Sequence, residues 1–178
     1  MSQLPSTHQI PQVLTNAKVY RDGIDLIGIA TVELPSFEYM TETLTGLGIA
    51  GEIDSPVTGN FKAQNIKLTW NTPTEQSLQL LQSKAHQLEL RGSIQEYDAG
   101  RGEFVHKAVK CLVRAAPKKS DIGKAEPGKK MDPETEMEVM YIKLFIGGKE
   151  IVELDKFNFI FRVDGSDLLS AIRQNLGI

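Results

Sequence analysis

The chain has a single cysteine among 178 residues, Cys111, and only three histidines, His8, His86 and His106. One thiol excludes an internal disulfide. Three scattered histidines, with no H-x-E or H-x-x-x-H partner, offer no metal-ligand spacing. Long hydrophobic runs are missing too, and nothing approaches the roughly 20 apolar residues of a membrane-spanning helix. Met1 to Pro11 is polar, lacks a basic start and an apolar stretch, and does not read as a secretion signal. Neither sign of charge dominates: 20 basic residues against 23 acidic leave −3, which argues against a generally basic nucleic-acid binder. No Walker loop, G-x-S-x-G elbow or paired-carboxylate motif is present. These absences predict a soluble protein of a reducing compartment, with no catalytic set, no cofactor and no metal.

What is there is ordinary globular material. Apolar residues at 40% and charged residues at 24% exclude wholesale disorder, and the length suits one domain. Period-two alternation dominates. Leu88, Leu90 and Ile94 are apolar between polar Gln87, Glu89, Arg91, Ser93 and Gln95, the signature of a strand with one buried face. Ile66, Leu68 and Trp70 alternate in the same way, as do Val105, Val109, Cys111 and Val113. Val13, Ala17 and Val19 precede Asp22-Gly23, and Ile24, Leu26, Ala30 and Val32 follow it, a strong hairpin signal. Further turns are predicted at Asp98 to Gly102 and Gly147-Gly148, with Phe157, Phe159 and Phe161 as the last alternating triplet. The prediction is a mainly β (α+β) fold, an antiparallel β-sandwich or barrel of about seven to eight strands with two helices.

The first helix is predicted after Thr72-Pro73-Thr74-Glu75, read as a capping box with proline at the first helical position and followed by Leu78, Leu81 and Ala85. The second spans about residues 164–176, with Leu168, Leu169, Ile172 and Leu176 on one side, Arg173 in the last turn and Gly177 as the stop. Two stretches fit neither period. Thr41 to Asn60 is glycine-rich and reads as a long loop, and Pro117 to Lys130 carries five lysines against one aspartate and one glutamate. Long unstructured segments in a compact domain are usually functional, and both are candidates for contacts between subunits.

Gly46-Leu47-Gly48-Ile49-Ala50-Gly51 matches the dinucleotide fingerprint letter for letter. That chemistry needs a helix directly behind it, and Pro56 would break one within its second turn, so a glycine-rich loop is the better reading. Cys111 shares the apolar strand face with Val109 and Val113, where a thiol is an inert core residue. Glu134, Glu136 and Glu138 stand roughly 7 Å apart on one strand face. Two readings of this stripe stay open: a solvated strand end, or the lining of a water-filled passage that repels a polyanion such as DNA. The lysine-rich segment lacks interleaved aromatics, which favours a solvated loop or an intersubunit ion-pair partner over a phosphate site.

A series of short motifs in the C-terminal third carries a family likeness: Gly147-Gly148-Lys149-Glu150, Ile151 to Asp155, Phe157-Asn158-Phe159-Ile160-Phe161, Val163-Asp164-Gly165 and Arg173 to Gly177. Upstream, Glu33-Leu34-Pro35, the glycine-rich Leu44 to Gly51 and Ala85-His86-Gln87-Leu88 agree in order. Over residues 12–178 the chain resembles the major tail tube proteins of contractile-tailed bacteriophages, with Met1 to Pro11 as a polar arm longer than that pattern requires. The resemblance implies one β-barrel-like domain assembled into hexameric rings, stacked as a hollow tube through which double-stranded DNA passes without specific binding. It implies as partners further copies of the chain, a tail sheath protein, and terminator and baseplate or initiator proteins. It also implies a place in the virion, assembly in the bacterial host cytoplasm and no membrane insertion. Gly46, Gly48, Gly51, Pro56 and Gly59 belong to the candidate inter-ring loop, and Glu134, Glu136 and Glu138 to the candidate lumen. Three alternatives stand beside it: an R-type tailocin tube, a type VI-like secretion ring, and a monomeric β-barrel with a closed pocket for a small ligand.

Overall fold

Alternation and turn chemistry set most of the architecture. The computed structural model describes residues 9–178 and contains twelve strands and two short helices. β1 (Gln9–Arg21) and β2 (Ile24–Asp25) are joined by Asp22-Gly23, whose φ angles of 50° and 83° give the two-residue turn that suits a twisted hairpin. β3 (Ile29–Glu33), β4 (Tyr39–Leu44), β5 (Ile53–Phe61) and β6 (Asn65–Trp70) follow. After α1 (Glu75–Gln79) come β7 (His86–Asp98), β8 (Glu103–Asp121), β9 (Glu134–Ile146) and β10 (Lys149–Asp155). β11 (Ile160–Val163), β12 (Ser166–Asp167) and α2 (Ser170–Leu176) complete the chain.

Ten strands form one antiparallel sheet in the order β12-β11-β10-β9-β8-β7-β1-β2, with β6 also on β9 and β3 beyond β6. β9 changes neighbour midway: Glu134–Glu138 pair with β6 and Tyr141–Ile146 with β10. The change falls at Met140, an extra residue between the pairs Val139–Ala115 and Tyr141–Arg114. A bulge reverses which side chains face inward. Thr135, Met137 and Val139 are buried before it and Ile142 after it, so the turn from acidic to apolar at even positions marks this bulge.

The core lies inside the bend of β3-β6-β9-β8-β7-β1. Ile66, Leu68, Trp70, Leu88, Leu90, Cys111, Val113, Met137 and Ile142 meet there, each large apolar side chain contributing about 1.5–3 kcal/mol. The mainly β class with two helices is as predicted, but the sheet does not close into a barrel, because β1 and β3 are not paired.

Several local readings need correction. Thr41 to Asn60 is not an unstructured loop: β4 and β5 pair as a separate two-stranded hairpin, and only residues 45–52 form its tip. The lysine-rich segment is strand through Asp121 and loop beyond it. The cap of α1 is Thr74 with Ser77, not Thr72 with Glu75, and Leu80 rather than Leu78, Leu81 or Ala85 is buried. α2 starts at Ser170, because Asp164-Gly165 (φ 48° and 82°) makes another two-residue hairpin turn between β11 and β12. Of the predicted apolar side, Leu169 is buried and Ile172 packs on the core, while Leu168 and Leu176 are exposed. Phe157 and Phe159 are not strand residues. The Asp155 carboxylate accepts the N–H groups of Phe157 (3.1 Å) and Asn158 (3.0 Å), and this side-chain-capped turn wins over the alternation. Of the polar arm, Gln9 to Pro11 begin β1, while His8 and the rest of the arm lie outside the described residues.

Candidate functional site

The β4–β5 hairpin is anchored at its base and bare along its length. Tyr39 and Phe61 stack at 4.7 Å, Phe61 meets Phe161 edge-on at 4.9 Å, and Phe37 joins at 6.5 Å from Phe61. Such aromatic pairs contribute about 0.5–1.5 kcal/mol each beyond area burial. Gly59 (φ 84°) sits at the irregular return of β5, against Leu169 just before α2 and Ile172 within it. Beyond this base Met40, Leu44, Leu47, Ile53 and Val57 are exposed. Gly46, Gly48 and Gly51 shape the tip, Gly48 and Gly51 with positive φ, and Pro56 pairs with Thr41 in a strand that has no second neighbour among the described residues. A two-stranded sheet in water is marginal alone, so apolar side chains held out on a fixed base point to a partner surface.

A second surface follows from the open seam. β1 and the β2–β3 segment run together as far as the Leu26 N–H, which donates to the Val19 carbonyl at 2.8 Å, and then part. Between them lies an apolar groove of about 1010 Å³ lined by Val13, Leu14, Ala17, Ile27, Val32 and Ile94. Among the described residues, β1 from Gln9 to Lys18 pairs only with β7, and β3 only with β6, so each shows a free backbone edge there. Free edges beside apolar surface are what a soluble protein covers.

The acidic stripe has lysine partners. Glu134 pairs with Lys67 at 2.9 Å, Glu136 with Lys118 at 3.5 Å and Glu138 with Lys156 at 3.1 Å. All three glutamates are half-buried on the outward face of β9. Hydrogen bonding to Glu134 holds the Lys67 ammonium above its usual range. The stripe is thus part of a mixed-charge lattice. Sequence reading missed the lysines, because Lys67 comes from β6, Lys118 from β8 and Lys156 from the turn after β10, and only the strand pairing brings them to β9.

The remaining candidates hold ordinary buried or surface positions. Cys111 is buried, and burial pushes its thiol up to about 11. The buried His86 ring lies 3.3 Å from the Gln82 carbonyl and the exposed His106 ring 3.5 Å from the Ser93 hydroxyl. The G-x-G-x-x-G stretch is the hairpin tip, followed by β5 and not by a helix. Among the described residues, no three His, Cys, Asp or Glu side chains are grouped to hold a metal ion, and no helix is long and apolar enough to cross a membrane.

Residues 11–177 match the model of phage tail tube protein FII. The chain belongs to this tail tube family. The tail tube protein of Escherichia phage P2 is 28% identical over 176 residues, covering 95% of this chain and 99% of that protein. The fold also resembles a chain in the sheath/tube terminator structure of an extracellular contractile injection system, PVC, in its extended state. There the TM-score is 0.53 at 15% identity, covering 76% of this chain and 96% of the other. The tail tube family match begins inside β1 and ends past α2, so it takes in the seam, the hairpin and the bulged β9.

Proposed function

We propose that this chain is a structural subunit of a contractile phage tail tube, in which rings of six copies stack around a hollow bore. The family match over residues 11–177 carries the reading. The geometry supports it physically. A neighbouring copy covers the apolar seam between β1 and β3, pairing with edges that are free in the single chain. Repeating one head-to-tail contact closes a ring when the rotation allows. The β4–β5 hairpin, with Gly46, Gly48 and Gly51 in its tip and Pro56 and Gly59 in its returning strand, reaches the adjacent ring.

In this assembly Glu134, Glu136 and Glu138 face the lumen. Paired with Lys67, Lys118 and Lys156, they form a wall close to local charge balance, which gives double-stranded DNA no basic track to hold. A sheath surrounds the tube, and terminator and baseplate proteins close its ends. The tube is a virion component assembled in the host cytoplasm. Its work is mechanical and electrostatic, without catalysis. Sedimentation velocity over a range of concentrations tests the proposal: the expected result is a species six times the 19.7 kDa chain, with larger stacks above it. A monomer at every concentration contradicts it.

A further inference from the structure

Two oppositely charged segments, attached at the two ends of β6, carry charged side chains that form no ion pair among the described residues. Six Lys or Arg side chains form no ion pair among the described residues: Arg21, Lys84, Arg114, Lys119, Lys124 and Lys130. Three of them, Lys119, Lys124 and Lys130, sit exposed on the end of β8 and the loop that follows. Residues 117–131 carry five lysines against Asp121 and Glu126. Both acids are engaged: Asp121 accepts the Gly123 N–H at 2.8 Å and Glu126 pairs with Lys129 at 2.5 Å.

The hairpin is the converse. Between Tyr39 and Phe61 there is no lysine or arginine, and the charged residues are Glu42, Glu52 and Asp54. All three are exposed and none forms an ion pair among the described residues, where Asp54 accepts the Thr43 hydroxyl at 2.7 Å. The hairpin leads through residues 62–64 into the start of β6. The lysine loop is tied to the end of β6, where Met131 N–H donates to Asn71 O at 3.0 Å and Trp70 N–H to Pro133 O at 2.9 Å. A six-residue strand separates the two attachments by about 17 Å, at ~3.4 Å per residue. Each segment also shows water an apolar side chain, Leu47 on the tip and Ile122 in the loop.

We infer that the acidic hairpin of one copy docks on the lysine-rich loop, residues 119–130, of a second copy. The contact is heterologous: acidic at one end of β6 and basic at the other, it leaves both partners with an unused end and therefore repeats without limit along one direction. Complementary charge fixes the polarity of stacking and steers the approach, while like ends repel. The inference rests on the tube reading and names what the inter-ring hairpin lands on.

The test uses two full-length charge-reversed chains. Glu42→Lys/Glu52→Lys/Asp54→Lys gives a chain basic at both ends, and Lys119→Glu/Lys124→Glu/Lys130→Glu one acidic at both ends. Electron microscopy is expected to show stacks for the unaltered chain and none for either variant alone. An equimolar mixture should stack again, because each basic hairpin then meets an acidic loop and each acidic hairpin a basic loop. Circular dichroism on each variant confirms the fold. Two folded variants that stay unassembled when mixed, or either variant stacking alone as the unaltered chain does, would overturn the inference while leaving the tube reading intact. An unaltered chain that forms neither rings nor stacks removes the tube reading, and the inference with it.

Discussion

Gly59 bears two constraints at once: its φ is 84°, and a Cβ there would stand 2.9 Å from Leu169 Cδ2. Left-handed backbone costs a non-glycine residue roughly 1–2 kcal/mol, so Gly59→Ala should lower the melting temperature and loosen the hairpin base while the sheet survives. Thermal unfolding with hydrogen exchange at β5 measures both. Cys111→Ser buries a hydroxyl in place of a thiol and should cost about 1–3 kcal/mol without changing assembly; a folded serine variant that cannot assemble would reopen a chemical role. Glu153 tests the ionic lattice on the outer face. Burial alone would raise its pKa, but the Tyr141 hydroxyl at 2.9 Å and the cations Lys143 and Arg162 outweigh this and hold it below its ordinary 4.5. Asp167 is lowered too, chiefly by its hydrogen bond from Arg173. A carboxylate depressed in the folded state stabilises fully above its unfolded pKa and loses that contribution as pH falls through the folded value. The melting temperature should therefore drop below about pH 4.5, and Glu153→Gln should flatten that drop.

Elements were legible where a local rule acted alone. Asp22-Gly23 and Gly147-Gly148 turned as read, because paired left-handed residues between alternating runs leave the chain few other paths. Ile66, Leu68 and Trp70 showed their buried face for the same reason. Asp164-Gly165 carries the same turn signal, yet the leucines behind it suggested a longer helix than the one that forms. The β4–β5 hairpin was hidden because Pro56 and the tip glycines read as breakers, whereas an outer strand tolerates proline. What holds the hairpin, Phe37, Tyr39, Phe61 and Phe161, comes from separated segments and has no local pattern. Joining Leu44 to Ile53 through Asn-Gly in place of residues 45–52 should keep this anchored base and the fold. The same change should abolish stacking, scored by circular dichroism beside electron microscopy. Stacks of normal length would dismiss the tip.

At the scale of the whole molecule, the unsatisfied features of the single chain suit a repeated assembly: an open seam, a projecting hairpin and a charged lattice outside the core. The acidic stripe was visible in sequence, but its neutralising lysines needed the strand order. Glu134→Gln/Glu136→Gln/Glu138→Gln would leave Lys67, Lys118 and Lys156 unpaired on that face. If the face lines the bore, particles carrying these changes should assemble and release DNA more slowly; unchanged release would place the stripe elsewhere. Negative-stain electron microscopy of the purified protein across concentrations shows whether this chain builds a conduit with itself. Hollow rings passing into rods as concentration rises are the predicted result, whereas uniform particles the size of one chain at every concentration would contradict it.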